Sequence, residues 1–357
     1  MNYSLTKNSA SVLVAGLIVA LGLQGCDSKL APVAKDALPP TIVTEALPND
    51  TDDPAIWINP NDSTEVLIVG TDKHEKTGGL YVFNLEGKIV NKVTPLDRPN
   101  NVDIAYGLLI DGVKTDIAVT TERGTNKIRI YALPSMKEID NGGIEVFVGE
   151  TERQPMGISL YTQKDSLGNK IYAIVGRKNG PVDGYLFQYE LTGNQGAVEA
   201  KLVRQFGKYS QKKEIEAIAV DNELGFVYYS DENVGMRKYY ADPAKGNEEL
   251  AFFGQKDFKS DNEGIAIYKS TDSTGYIFVS NQQDNSVNVY PREGDAENPN
   301  SYTLIKRIPI STIECDGMDA TSANLGPKFP KGMLVAMSNG MVFHYYDFRE
   351  LEELIKK

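Results

Sequence analysis

Cysteine is almost absent: Cys26 and Cys315 are the two in 357 residues. With Cys26 consumed by processing, Cys315 has no partner for an intramolecular disulfide, so stability must come from a core or from bound metal. Histidine is equally scarce, with only His74 and His344. That leaves zinc sites of Cys and His type unsupported. No Gly-x-Ser-x-Gly elbow and no Arg-His-Gly motif occurs, and Cys315 has no anion-cradling loop around it. Three nucleophilic hydrolase designs fall away with them. Basic residues are in deficit, 37 against 49 acidic, for a net charge of −12. Such a chain is a poor partner for nucleic acid.

The first residues read as an address, not as fold. Lys7 precedes the apolar run Ala10 to Leu23, which is short for a membrane span and ends in Leu23-Gln24-Gly25-Cys26. This is the pattern of a secretory signal with a lipobox, so cleavage before Cys26 and lipidation of its thiol are expected. Loss of residues 1–25 takes away one lysine and no acid, leaving 36 basic residues against 49 acidic ones. Residues 26–43 carry Pro and Ala without periodicity and read as a tether, which places residues 44–357 on a bacterial envelope membrane through a lipid anchor.

What is present is short strands, in quantity. Alternating or fully apolar runs recur between clusters of Gly, Asn and Asp, and the one amphipathic helix is the tail from Asp347 to Lys357. The strands group into a repeating unit. Its first strand opens at Asp53, Asp103, Met156, Glu216, Glu263 and Asp319, with spacings of 50, 53, 60, 47 and 56 residues. A second, more apolar strand runs into a polar loop, and a third closes on an aromatic residue: Phe83, Tyr131, Tyr189, Tyr240, Tyr290 and Tyr346. Six units of about fifty residues, each a small antiparallel sheet, indicate an all-β, six-bladed β-propeller forming a single domain. Thr41–Leu47 reads as a strand that completes the last blade and closes the ring.

The repeat also orders the charges. Five of the six first strands open on an acid: Asp53, Asp103, Glu216, Glu263 and Asp319. In a propeller those strands line the axis, so their carboxylates should ring one mouth of the channel. Clustered carboxylates repel unless a cation or protons intervene. Asp52-Asp53-Pro54 supplies a carboxylate pair at a rigid strand start, which suits a hard cation bound through oxygen. The loops after the second strands carry Lys73 and Lys76, then Arg123, then Arg177 and Lys178, and should gather on one rim. A basic rim beside bound cations suits phosphate, because Arg and Lys donate to its oxygens while the cations offset its charge.

With these residues in hand, the chain resembles the β-propeller phytases from about Thr44 to His344. Asp52-Asp-Pro-Ala-Ile-Trp is the most specific element. Asn100-Asn-Val-Asp-Ile, Gly157-Ile-Ser-Leu-Tyr, Gln188-Tyr-Glu-Leu, Asp261-Asn-Glu-Gly and Asp316-Gly-Met-Asp come after it in the family's order. The resemblance implies calcium-dependent hydrolysis of phosphate monoesters of inositol hexakisphosphate, bound as its calcium complex. Carried over by motif, it implies calcium ligands at Asp52, Glu216, Glu232, Asp261, Glu263 and Asp316, a nearby structural calcium at Asp53 and Asp103, and Glu45 as an extra ligand. It implies phosphate contacts from Lys73, Lys76, Arg123, one of Arg177 or Lys178, and Gln282. Lys76, Arg123 and Glu232 are the residues expected to act on the reacting phosphate, in a monomeric enzyme.

The chain departs from the family at several of these places. Met156 stands where an aromatic Tyr is frequent, His74-Glu75 interrupts the lysine pair, Pro181 and Asp183 lengthen the loop after Arg177, and Ile313-Glu-Cys shortens the acidic loop before Asp316. Two other readings share part of the pattern: a broader metal-dependent phosphomonoesterase, and a non-catalytic propeller lipoprotein that binds a partner. The acidic set at Asp52, Glu216, Glu263 and Asp316 argues for catalysis, since a scaffold has no use for that repulsion.

Overall fold

The computed structural model describes Met1, residues 30–165 and residues 168–357. The expected signal segment with Lys7 and the lipidation site Cys26 lie outside the described residues. From residue 30 onward the chain forms an all-β propeller arrangement, with a single α-helix among the described residues.

Each repeat is an antiparallel meander. In the first, Thr51–Ile58, Val66–Asp72, Gly78–Phe83 and Ile89–Leu96 pair in chain order. The inner three strands are buried almost throughout, while the outermost shows side chains to solvent. Near-continuous Val, Ile and Leu runs are therefore required wherever both faces of a sheet are covered, and polar residues return at the rim. Trp57 sits in the first inner strand, buried, with Nε1–H donating to Asp116 Oδ2 at 2.9 Å. Burying a ring of that size stabilises the fold by roughly 3 kcal/mol, and the hydrogen bond satisfies its polar atom.

Apolar clusters lie between successive sheets. Trp57, Val69, Leu80 and Val82 meet Val102, Ala118 and Tyr131. Ile56, Ile68 and Phe83 meet Val335, Phe343 and Tyr345 of the last repeat. First and last repeats are therefore packed neighbours. The closure is also hydrogen bonded: Ile42–Val43 pairs antiparallel with Val342–Asp347, Ile42 opposite Tyr345 and Val43 opposite His344. The strand expected before the first repeat thus forms, and it completes the last sheet.

Hydrogen bonding does not separate six equal sheets. Four four-stranded sheets stand alone, and a fifth sheet has nine strands. The nine-stranded sheet contains the second and third repeats, joined where Asn169 of Gly168–Arg177 pairs in parallel with Leu108 of Pro99–Ile110. Both strands overrun the length that their repeat needs, reaching 10 and 12 residues, and their ends meet.

The tail helix Phe348–Lys356 is capped by Asp347, whose side chain accepts from Arg349 N–H at 2.9 Å. Phe348 and Leu351 are buried against the last two sheets, and Leu354 and Ile355 are partly covered there. The apolar face read in the sequence is the face that docks.

Candidate metal and phosphate site

Four of the innermost strands begin with the same irregularity. Pairing slips between Thr51 and Pro54, between Pro99 and Val102, between Pro155 and Ile158, and between Asn262 and Ile265. A bulge at a strand start re-aims the side chains it contains. Asp52 and Asp53 sit inside the first, Asn100 and Asn101 inside the second, Glu263 inside the fourth. The bulge lets adjacent residues serve two levels of the axis, and the carboxylates accordingly form two groups instead of one ring.

The lower group lines a channel cavity of about 820 Å³. Asp53 Oδ2 accepts from Val102 N–H at 3.1 Å, Asp103 Oδ2 from Leu160 N–H at 2.7 Å, and Asp319 Oδ2 from Ile56 N–H at 2.7 Å. Each acceptor belongs to one innermost strand and each donor to the next. These three acids are brackets between repeats. Burial raises the pKa of all three, Asp53 well above the ordinary value and Asp319 to about 7, with Asp103 adding to the effect at Asp319. The expectation that all five strand-opening acids ring one mouth is therefore corrected: Asp53, Asp103 and Asp319 line the channel cavity, and Glu216 and Glu263 belong to a second group.

The upper group is a bowl of oxygen ligands. Lys73 Nζ bridges Asp52 Oδ1 and Asp316 Oδ2, 2.7 Å from each. Burial alone would lower the Lys73 pKa, but attraction by Asp52, Asp316 and Glu216 outweighs it and holds the pKa above the ordinary lysine value. Asn100 Nδ2 donates to Asp52 Oδ2 at 2.7 Å and to Glu216 Oε1. Gln282 Nε2 donates to Glu263 Oε2 at 3.0 Å and to Asp316 Oδ1 at 2.6 Å. On the far side Lys213 Nζ lies 2.7 Å from Glu232, 2.8 Å from Asp261 and 3.3 Å from Glu263. Gly317 closes the floor, where a Cβ would stand 2.3 Å from Asp53 Oδ1.

Electrostatics mark the bowl as short of positive charge. Burial raises Asp52 and Glu263, with Glu216 and Asp316 adding repulsion at Asp52 and Asp316 and Glu232 at Glu263. Burial also raises Glu232 to about 8 despite the opposing pull of Lys213. Glu232 Oε1 is buried without a hydrogen-bond partner. One oxygen each of Glu214, Glu216 and Glu232 lie within 4.8 Å of one another. An all-oxygen donor set, rigidly held and under-neutralised, fits a hard divalent cation such as calcium.

The basic rim is only partly as expected. Arg123 is buried beside the bowl, with Nη1 3.5 Å from Asn100 Oδ1 and Nε without a partner, so its fork retains donors for a ligand. Lys178 is ion-paired with Glu214. Lys76 is exposed, at φ +62°, and makes no ion pair among the described residues; its backbone N–H donates to Asp97 Oδ1 at 2.9 Å. Arg98, not anticipated, comes near enough to Arg123 and Lys178 to depress the pKa of each, after the larger effect of burial.

Arg177 is elsewhere. It is buried, donates to Glu150 Oε2 at 2.8 Å, and lies 4.8 Å from the Phe147 ring centre and 5.1 Å from that of Phe187. It ties a loop to the core, so of the two candidates Lys178 is the one that faces the bowl. Glu45 is also away from the site: it pairs with Lys88 at 3.1 Å and accepts from Ile89 N–H at 2.8 Å. Lys213 and Glu214 join the bowl without having been expected there.

A sequence profile described as Phytase matches residues 10–343. The chain belongs to the phytase family. This phytase is 31% identical over 295 residues to the 3-phytase of Bacillus subtilis (strain 168), covering 80% of this chain and 73% of that one. Membership makes it a hydrolase acting on phosphomonoester bonds. Solved structures add likeness of fold alone. A chain of the mitotic checkpoint complex crystal structure aligns with a TM-score of 0.50 at 11% identity, over 95% of this phytase and 99% of that chain. The Dos1 propeller aligns with a TM-score of 0.43 at 11% identity, over 83% and 67%.

Proposed function

We propose that the chain is a calcium-dependent phytase that hydrolyses phosphate monoesters of inositol hexakisphosphate. The observation that carries the reading is the bowl itself: Asp52, Glu216, Glu232, Asp261, Glu263 and Asp316 converge with an orphaned buried oxygen on Glu232, and Arg123 stands beside them with free donors. Those six carboxylates would hold calcium, with Glu214 adjoining. Bound calcium would supply Lewis acidity toward phosphoryl oxygens and lower the pKa of a coordinated water.

The protein groups have their own tasks. Arg123 donates to the equatorial oxygens, where negative charge grows in the transition state. Lys73 is held by Asp52 and Asp316 at a fixed point of the bowl and presents its ammonium to the same phosphate. Lys76, Arg98 and Lys178 form a second basic zone for a neighbouring phosphate, which orients a substrate bearing several. Glu232, buried and 2.7 Å from Lys213, would stand among the calcium ligands nearest the reacting centre. Gln282 fixes Glu263 and Asp316 relative to each other.

The scaffold in this proposal has six blades, the nine-stranded sheet being two blades that share one parallel pairing. Support comes from the six apolar clusters, each shared by two repeats and the last joining repeat six to repeat one. We further propose that a lipid at Cys26 tethers a monomeric enzyme to a bacterial envelope membrane. Metabolic labelling with palmitate, lost on Cys26→Ser, checks the anchor. The reaction is checked by phosphate release from inositol hexakisphosphate with calcium and then with chelator. Release that persists unchanged in chelator, or fails in both, removes the proposed chemistry.

A further inference from the structure

We propose that Glu214 is a metal ligand that also restrains Lys178, so that cation binding frees a lysine for phosphate. The inference rests on the proposed function, in which the bowl takes calcium and phosphate. Glu214 lies outside the recurring acidic positions. It precedes Glu216 by two residues, in the segment leading into the inner strand Ile218–Asp221.

Two sets of contacts compete for the one carboxylate. On one side a Glu214 oxygen lies within 4.8 Å of oxygens from Glu216 and Glu232. The spacing is fixed by the backbone, since Glu232 N–H donates to Glu214 C=O at 3.2 Å. Glu232 Oε1 is buried and has no hydrogen-bond partner, which points to a ligand at this spot and not merely to a crowd of acids. On the other side Glu214 Oε2 is ion-paired with Lys178 Nζ. Lys178 is half-buried near Arg123 with Glu216 and Glu232 further off, and Glu214 is the acid that it contacts, so its charge is offset while Glu214 holds it.

A divalent cation among Glu214, Glu216 and Glu232 attracts the Glu214 carboxylate more strongly than one ammonium can. Its capture uncovers Lys178 next to Arg123 on the phosphate side of the bowl. The exchange is reciprocal: phosphate on Lys178 displaces Glu214 toward the metal and raises cation affinity by the same factor. Calcium and phosphate would thus be coupled through a side chain that neither the repeat nor the family motifs assign.

The test is calorimetric titration of the protein with calcium chloride, and separately with inorganic phosphate in chelator. It compares wild type, Glu214→Gln, Lys178→Met and the double variant. Glu214→Gln should weaken calcium binding about tenfold and, without calcium, tighten phosphate binding roughly fivefold or more. The phosphate gain should vanish when Lys178→Met is added, because the two residues act on one contact. Wild type binding both ligands while Glu214→Gln changes neither overturns this inference alone. A calcium loss without the phosphate gain overturns it too, leaving Glu214 an ordinary ligand, as does a gain that survives Lys178→Met. Wild type binding neither calcium nor phosphate brings down the proposed function with it.

Discussion

Lys73 and Asp52 are bonded at 2.7 Å inside the bowl, and the same ammonium reaches Asp316 at 2.7 Å. A lysine thus holds together two carboxylates from opposite ends of the chain, 243 and 21 residues away from it. In the proposed mechanism Lys73 offsets part of the rise that burial imposes on Asp52, and the two carboxylates keep Lys73 aimed at phosphate.

Asp52→Asn removes the charge while keeping the shape. Calcium affinity by calorimetry should fall at least roughly tenfold, as it does when groups around a metal are disturbed. Hydrolysis of inositol hexakisphosphate should fall with it. Unaltered calcium binding would take Asp52 out of the ligand set.

Arg123→Gln should slow hydrolysis by about 10²–10³ at saturating calcium, the usual loss for one donor to developing oxyanion charge. Calcium affinity should stay near wild type, because Arg123 touches Asn100 and none of the carboxylates directly. Loss of calcium binding would place Arg123 in the metal scaffold instead.

Arg177→Met addresses the core, not the chemistry. Loss of the Glu150 contact and of the faces of Phe147 and Phe187 should cost about 2 kcal/mol in urea unfolding. Activity per folded molecule should remain. A variant that stays fully stable yet loses substrate binding would return Arg177 to the rim.

His344 makes acid stability measurable. Burial lowers its pKa to about 4, while an unfolded histidine titrates near 6.5. The unfolded chain therefore binds the extra proton between those values. The stabilisation from a neutral His344 is complete above pH 6.5 and is lost as pH falls toward 4, up to about 3 kcal/mol. Urea midpoints of wild type and His344→Gln should show the wild type losing more stability across that window. Parallel pH curves would mean that His344 is free to charge in the fold.

The sequence made the repeat legible because each unit writes the same three cues in the same order. Glu216 and Glu263 came from the repeat and Asp52, Asp316 and Gln282 from the family motifs, and the structure brings them together with Arg123 around one bowl. The sequence left Arg177 and Lys178 as alternatives, which the structure separates by a single residue. Arg177 ends a strand whose side chains alternate between faces, so one step decides between the core and the bowl. Lys178 took the side toward the bowl, and its N–H bond to Gln154 C=O at 2.8 Å holds it there. Lys213 and Glu214 lie in an irregular segment with no counterpart in other repeats. The one usable cue was Glu214-Ile215-Glu216, two acids at a spacing that puts side chains on one side of an extended chain. The split of the acids into two levels depends on bulges, which leave no signature in residue spacing, so only the family resemblance set Asp52 apart from Asp53. The merging of the second and third repeats was invisible for a related cause: strand length past the repeat is set by the partner.

Closure of the ring has a consequence for how the protein is made. Thr44 Oγ1 accepts from Phe343 N–H, a bond spanning 299 residues, beside the pairing of Ile42–Val43 with the last strand. Ile42–Val43 has no partner until the last strand, almost 300 residues further along, is in place. Contacts of such separation form late, because the loop they close is nearly the entire polypeptide. The first repeat must meanwhile persist with one flank unpacked, leaving Ile56, Ile68 and Phe83 exposed. Completion of the last sheet is thus the event that ends the folding chain's vulnerability to aggregation.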